Sequence, residues 1–122
     1  MYMPASGWLA AFVLTVVVEA PIVAVLVRAF EPDLRRLALL VLFANLATHP
    51  IVWYVLSQPF LIGTAEYLVV AESWAVAAEA LFYAVTIGGL SPRRAIAIAL
   101  AANAASFLAG QVVGWIWPWA FG

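Results

Sequence analysis

Four apolar stretches, at about residues 8–28, 36–56, 66–88 and 94–117, fill most of the chain, and each carries a polar residue near its middle: Glu19, Asn45, Glu79 and Asn103. Each stretch is long enough to cross a hydrocarbon core of about 30 Å, which takes roughly 20 helical residues at about 1.5 Å apiece. A segment in lipid has to satisfy its own backbone polar groups, so all four are expected as helices. The breaks between them carry turn and cap chemistry. Ser91-Pro92 suits an N-cap followed by proline in the first turn, and Glu31-Pro32-Asp33 can start the second span in a similar way. The predicted fold is an all-α membrane protein with four transmembrane helices, in one domain covering residues 1–122.

The polar positions repeat. A shift of 60 residues sets Glu19 on Glu79, and a shift of 58 sets Arg35-Arg36 on Arg93-Arg94, Asn45 on Asn103 and Thr48 on Ser106. Alanine and valine matches carry little weight in so apolar a chain, whereas the coincidence of Glu, Arg-Arg, Asn and Thr/Ser is specific. It points to two duplicated helical hairpins, about 8–57 and 66–117, entering the membrane with the same orientation and related by a pseudo-twofold axis along its normal.

Composition makes the membrane reading firm. Hydrophobic residues are 68% of the chain and charged residues 9%, against about 25% charged in a soluble domain. Too few polar side chains exist to coat a water-facing surface, and the lipid bilayer is the expected surrounding. A net charge of −1 with no lysine argues against nucleic acid as a partner. The absence of cysteine removes disulfides, thiol catalysis and cysteine metal sites. All five positive side chains (Arg28, Arg35, Arg36, Arg93 and Arg94) flank the first and third connections. The excess of arginine there places both connections in the cytoplasm and both termini outside, in a membrane of bacterial inner-membrane type. The Arg pairs sit at helix N-termini, where the dipole disfavours them, so a topological role is expected for them.

Depth can be counted from the arginines. Glu19, Asn45 and Asn103 each lie nine residues from Arg28, Arg36 and Arg94, about 13 Å along a helix and close to the bilayer midplane. A charged side chain at that depth costs about 2.5–3.5 kcal/mol on insertion scales, so these acids are expected to face the bundle or a cavity. Thr48 and His49 lie one turn beyond Asn45 on the same face, and Ser106 relates to Asn103 as Thr48 does to Asn45. Glu72 is on the stripe of Glu79, two turns away, and Tyr83 continues that stripe toward the arginines. The candidate ion- or substrate-binding set is therefore Glu19, Asn45, Thr48, His49, Glu72, Glu79, Asn103 and Ser106. Pro21 and Pro50 each free a backbone carbonyl, of Val17 and Leu46, close to this polar layer. A lone histidine is expected to pack neutral against a carbonyl. Ala95, Ala99, Asn103, Ser106 and Gly110 form a small-residue stripe that marks close helix packing, within the bundle or across a homodimer.

Three functions fit this layer. A small transporter or channel would use Glu19 and Glu79 as exchangeable carboxylates for a proton or hard cation, with Asn and Ser/Thr oxygens as neutral ligands. An auxiliary or assembly subunit would use the same residues as interhelical hydrogen bonds. A membrane enzyme acting on a lipid or isoprenoid would use two of the acids for proton transfer. The first reading leads, because interhelical hydrogen bonds average only about 0.6 kcal/mol, little return for inserting two acids. Four short spans rarely enclose a whole pathway, so a homodimer or another membrane subunit is the expected partner. No motif for a phosphate loop, nucleophile elbow or zinc helix is present, and no cofactor or metal is specified.

Overall fold

The computed structural model describes residues 5–121. The other five residues, among them most of the N-terminal segment whose lack of basic side chains bears on the expected orientation, lie outside that range. Four helices are present: α1 (Ala5–Val27), α2 (Leu34–Pro50, continuing as a π-helical turn over Ile51–Val55), α3 (Ala65–Thr86) and α4 (Pro92–Ile116). No strand occurs among the described residues. All four helices are long and apolar enough to cross a membrane, and their ends fall within about three residues of the positions expected from hydropathy.

Local chemistry explains the ends. Asp33 caps α2 by accepting from the backbone N–H groups of Arg35 and Arg36, Thr64 caps α3 at Tyr67, and Ser91 caps α4 at Arg94 with Pro92 in the first turn. Each cap satisfies at least one of the N–H groups that a helix start leaves unpaired, and Asp33 takes two. Pro21 is absorbed inside α1 without ending it. Pro50 has a larger effect. The ladder widens after it into bonds five residues apart, with the Leu56 N–H donating to the Ile51 carbonyl at 2.9 Å, and such π turns often mark functional positions.

The helices form a ring in chain order, with α1 against α2 and α4, and α3 against α2 and α4. Both short connections, each carrying arginines at its flanks, lie at one end of the bundle. The longer connection over residues 56–64 lies at the other. Packing is tight at the arginine end, where Val23, Val27, Leu37, Val41, Tyr83, Ile87 and Ile98 are buried together. Ala95, Ala99 and Ala102 are also fully buried there, so this part of the small-residue stripe of α4 serves contacts inside the bundle, whereas Gly110 at its other end lines a cavity and has open space beside it. Small side chains let backbones approach closely, which matters in lipid, where apolar surface gains nothing by leaving hydrocarbon. The outward faces carry large apolar residues such as Val25, Leu81, Val85, Leu100 and Leu108.

The arginines make specific contacts at this end. Arg36 pairs with Glu31 and donates to the Thr86 carbonyl at the end of α3, 2.8 Å away. A cation is favourable at that C-terminus, which offsets its unfavourable place at the start of α2. Arg94 lies over the Phe30 ring at 5.3 Å, a cation–π contact between the two connections.

Ala99→Leu is expected to destabilise the bundle by about 1–3 kcal/mol, because extra methylenes have no space at that contact. Leu100→Ala, one residue along and facing outward, is expected to stay within about 0.5 kcal/mol of wild type. Unfolding in mixed detergent micelles, followed by circular dichroism, compares the two.

Candidate functional site

Glu19, Asn45, Glu79 and Asn103 meet in one closed ring that Thr48 and Ser106 complete. Glu19 on α1 accepts from Asn45 Nδ2 on α2 at 2.8 Å through Oε2, and from Ser106 Oγ on α4 at 2.9 Å through Oε1. Glu79 on α3 accepts from Asn103 Nδ2 on α4 at 2.6 Å through Oε2, and contacts Thr48 Oγ1 on α2 at 3.3 Å through Oε1. Each carboxyl thus takes an amide from the next helix in its own hairpin and a hydroxyl from the other hairpin. All six side chains are buried, with Glu19 at 0% and Glu79 at 1% exposure.

The amides are held by their own helices. Asn45 spends its second N–H on the Val41 carbonyl at 3.0 Å, and Asn103 spends its second on the Ala99 carbonyl at 2.9 Å. Both bonds reach back four residues, where a helix already places that carbonyl on the same face. Each amide therefore has only one donor left, and it points at a carboxyl.

The hydroxyls are placed differently. Ser106 Oγ lies 2.9 Å from Glu19 and 3.1 Å from the Asn103 carbonyl, while Thr48 Oγ1 lies 3.3 Å from Glu79 and 3.1 Å from the Ala44 carbonyl. A hydroxyl has one proton and two lone pairs. It can donate to a carboxylate, or it can donate to the helix carbonyl and accept from a protonated carboxyl. The ring is satisfied in both states, so a proton can come and go without leaving a buried polar atom unpaired. Among the described residues no arginine or histidine reaches either carboxyl. Charge at this layer therefore has to be balanced by a proton or another cation, since an unaccompanied ion in a low dielectric is costly.

A cavity of about 300 Å³ opens from the ring toward the 56–64 connection. Asn45, Thr48, His49, Glu72, Glu79, Asn103 and Ser106 all contribute to its lining, as do Ile62 and Gly63 of the 56–64 connection. Glu19 belongs to the ring but is not part of the lining. Glu72 is half-buried and has no hydrogen-bond partner among the described residues. On the arginine side the route stops. Tyr83, one turn beyond Glu79, is fully buried and its hydroxyl has no partner.

His49 departs from expectation in its partner. Its Nε2 meets the Thr15 hydroxyl at 3.3 Å, in place of a carbonyl, and Nδ1 is buried without a partner. The ring packs among Trp8, Phe12 and Trp53 at 5.5–6.4 Å between centroids. Among the described residues no group of three His, Cys, Asp or Glu side chains is arranged to hold a metal ion.

Several cavity residues escaped sequence reasoning. Tyr67 lines it and donates to the Val52 carbonyl at 3.0 Å, pairing a carbonyl in the π turn after Pro50. A signal existed, since Tyr67, Ala71, Ala75 and Glu79 recur every four residues on one face of α3. Thr15, four residues before Glu19, was legible in the same way. Trp53, Phe107 and Phe121 had no signal beyond hydrophobicity. No protein family, curated protein or solved structure matches this chain.

Removing one hydrogen-bonding partner at this depth has a definite signature. A double-mutant cycle between Glu19→Leu and Ser106→Ala, 87 positions apart in sequence, is expected to give a coupling of about 0.6–1.7 kcal/mol. Glu19→Leu with Ser73→Ala, on the outer face of α3, is expected to give none. Detergent unfolding free energies of the four proteins in each cycle supply the numbers.

Proposed function

We propose that this chain is a small membrane transporter or channel subunit that exchanges a proton, or a small cation in its place, at Glu19 and Glu79. One observation carries the reading: both carboxyls touch a hydroxyl that also contacts a helix carbonyl, so each can gain or lose a proton with every partner still satisfied. The cavity supplies access from one end, and the packed residues around Tyr83 close the other. Alternating access then requires that closure to open while the mouth shuts.

Two further features of the reading come from sequence, and the pattern of contacts fits the first of them. The chain is a duplicated hairpin, and the equivalence of the Glu19–Asn45–Ser106 and Glu79–Asn103–Thr48 sets under the same shifts of 60 and 58 residues fits that origin. The arginine connections face the cytoplasm, which makes the cavity open outward. A second copy or another membrane subunit completes the pathway, since the cavity of one chain ends at the ring.

An auxiliary-subunit role is the second reading, favoured by one fact: Glu19 is fully buried and both its carboxyl oxygens are hydrogen-bonded to side chains of neighbouring helices. Substitution by glutamine separates the two. The amide introduced by Glu79→Gln can accept from Asn103 and donate to Thr48, so it copies the protonated acid and keeps the fold while abolishing exchange. Proton and Na⁺ flux into liposomes holding the purified chain is expected for wild type and expected to fall to background in Glu79→Gln. Equal flux in both proteins, or none from well-folded wild type, would sink the self-sufficient transporter.

A further inference from the structure

We infer that the cavity takes an organic monocation with an apolar body, and that this solute enters sideways from the bilayer between α3 and α4, past Glu72. The inference adds a second solute to the transport reading, beside the proton or small cation exchanged at Glu19 and Glu79, and rests on that reading for movement, but not for binding.

Size is the first argument. A water molecule takes about 30 Å³ of liquid, so a cavity of about 300 Å³ holds on the order of ten waters. A bare ion needs only a few oxygen ligands and leaves most of that space without purpose. The volume is at the lower end of the range for small-molecule sites.

Lining chemistry is the second. Trp53, Tyr67, Phe107 and Phe121 line the cavity together with aliphatic side chains. Aromatic faces attract a cation that carries apolar groups, and a desolvated contact of this kind is worth more than an exposed one. Two carboxyls, of Glu72 and Glu79, open into the same space, while no arginine does. Glu79 is bonded within the ring. Glu72 has no partner among the described residues, and it is the group available to a ligand's positive charge.

The way in is the third. An apolar groove runs along the outside of the bundle between α3 and α4, bordered by Ile96 and Leu100, which are 51% and 57% exposed. Glu72, Asn103 and Phe107 line both this groove and the cavity. One layer of side chains separates lipid from the binding space, and its half-buried acid faces both. A hydrophilic cation has no reason to approach from that side. A lipophilic cation partitions into the bilayer and meets the acid there.

The test uses benzyltrimethylammonium, its uncharged isostere neopentylbenzene, and tetramethylammonium, which has the charge without the ring. The full chain is placed in phosphatidylglycerol nanodiscs, and binding is followed by tryptophan fluorescence and isothermal titration. Saturable binding of benzyltrimethylammonium, at least about tenfold tighter than either control, is expected. Glu72→Gln is expected to weaken it about tenfold or more, by loss of the charge partner. Ala104→Trp, which fills the groove from the lipid side, is expected to slow association about tenfold with little change in affinity.

Equal binding of the uncharged isostere, or full affinity in Glu72→Gln, would overturn the cation site. An unchanged association rate in Ala104→Trp would overturn the lateral route. Binding abolished by added phosphatidylethanolamine would assign the site to a lipid headgroup and overturn the proposal. The wild-type comparison of the three probes needs no variant to fold. Saturable cation binding without proton flux would uphold this site while removing the transport reading.

Discussion

Two carboxyls with no counter-ion among the described residues, each held between an amide and a hydroxyl, organise this protein. Glu19 and Glu79 sit on opposite helices of the ring, and each bridges α2 to α4. A buried acid left unpaired is expensive in hydrocarbon, so the helices have to adopt the one register that brings Asn45, Ser106, Asn103 and Thr48 to it. Hydrophobic contact alone does not select that register, because lipid solvates an apolar helix face as well as another helix does. The polar ring selects the register, and small residues then allow the close approach.

The ring also divides the bundle in two. Toward the arginines, alanines on α4 and the branched side chains of α1 and α2 pack together in the interior, and Arg36 and Arg94 tie the two short connections and the end of α3 together. Toward the 56–64 connection, the π turn after Pro50 and the alanines of α3 leave a cavity walled by aromatic residues. The same helices are thus sealed at one end and open at the other, with the titratable groups at the boundary. The hydroxyls matter most here, because they let either protonation state persist without an unpaired atom.

Proline illustrates how context chooses among local outcomes. Pro21 and Pro50 both remove a helical hydrogen bond near the polar layer. The first leaves α1 continuous, whereas the second is followed by a widened turn whose Val52 carbonyl is taken up by Tyr67. The sequence marks both places and does not distinguish them. The distinction comes from what lies opposite, since a freed or widened backbone persists only where a partner is within reach.

Much of the architecture was legible in the chain alone, because hydropathy and helix length answer to bilayer thickness and need no knowledge of tertiary contacts. The Ser91 cap with Pro92 in the first turn follows from local cap chemistry, whereas at α2 Asp33 is the cap and Pro32 stays outside the helix. The four helices and the inward turn of Glu19, Asn45, Glu79 and Asn103 follow from the bilayer constraint. So does the grouping of Thr48 with Asn45 and Ser106 with Asn103, which is a matter of helical period. Pairing across helices was not legible. Whether Glu19 meets Ser106 or Thr48 depends on the rotation of each helix, and rotation is set by packing between segments far apart in sequence. The role of Arg36 at the end of α3, the Thr15 partner of His49 and the aromatic lining of the cavity belong to the same class. Sequence determined which groups are buried at the midplane, through the energy of placing polar atoms in lipid. Only the tertiary structure decided which of them touch, and where the bundle leaves room for something else.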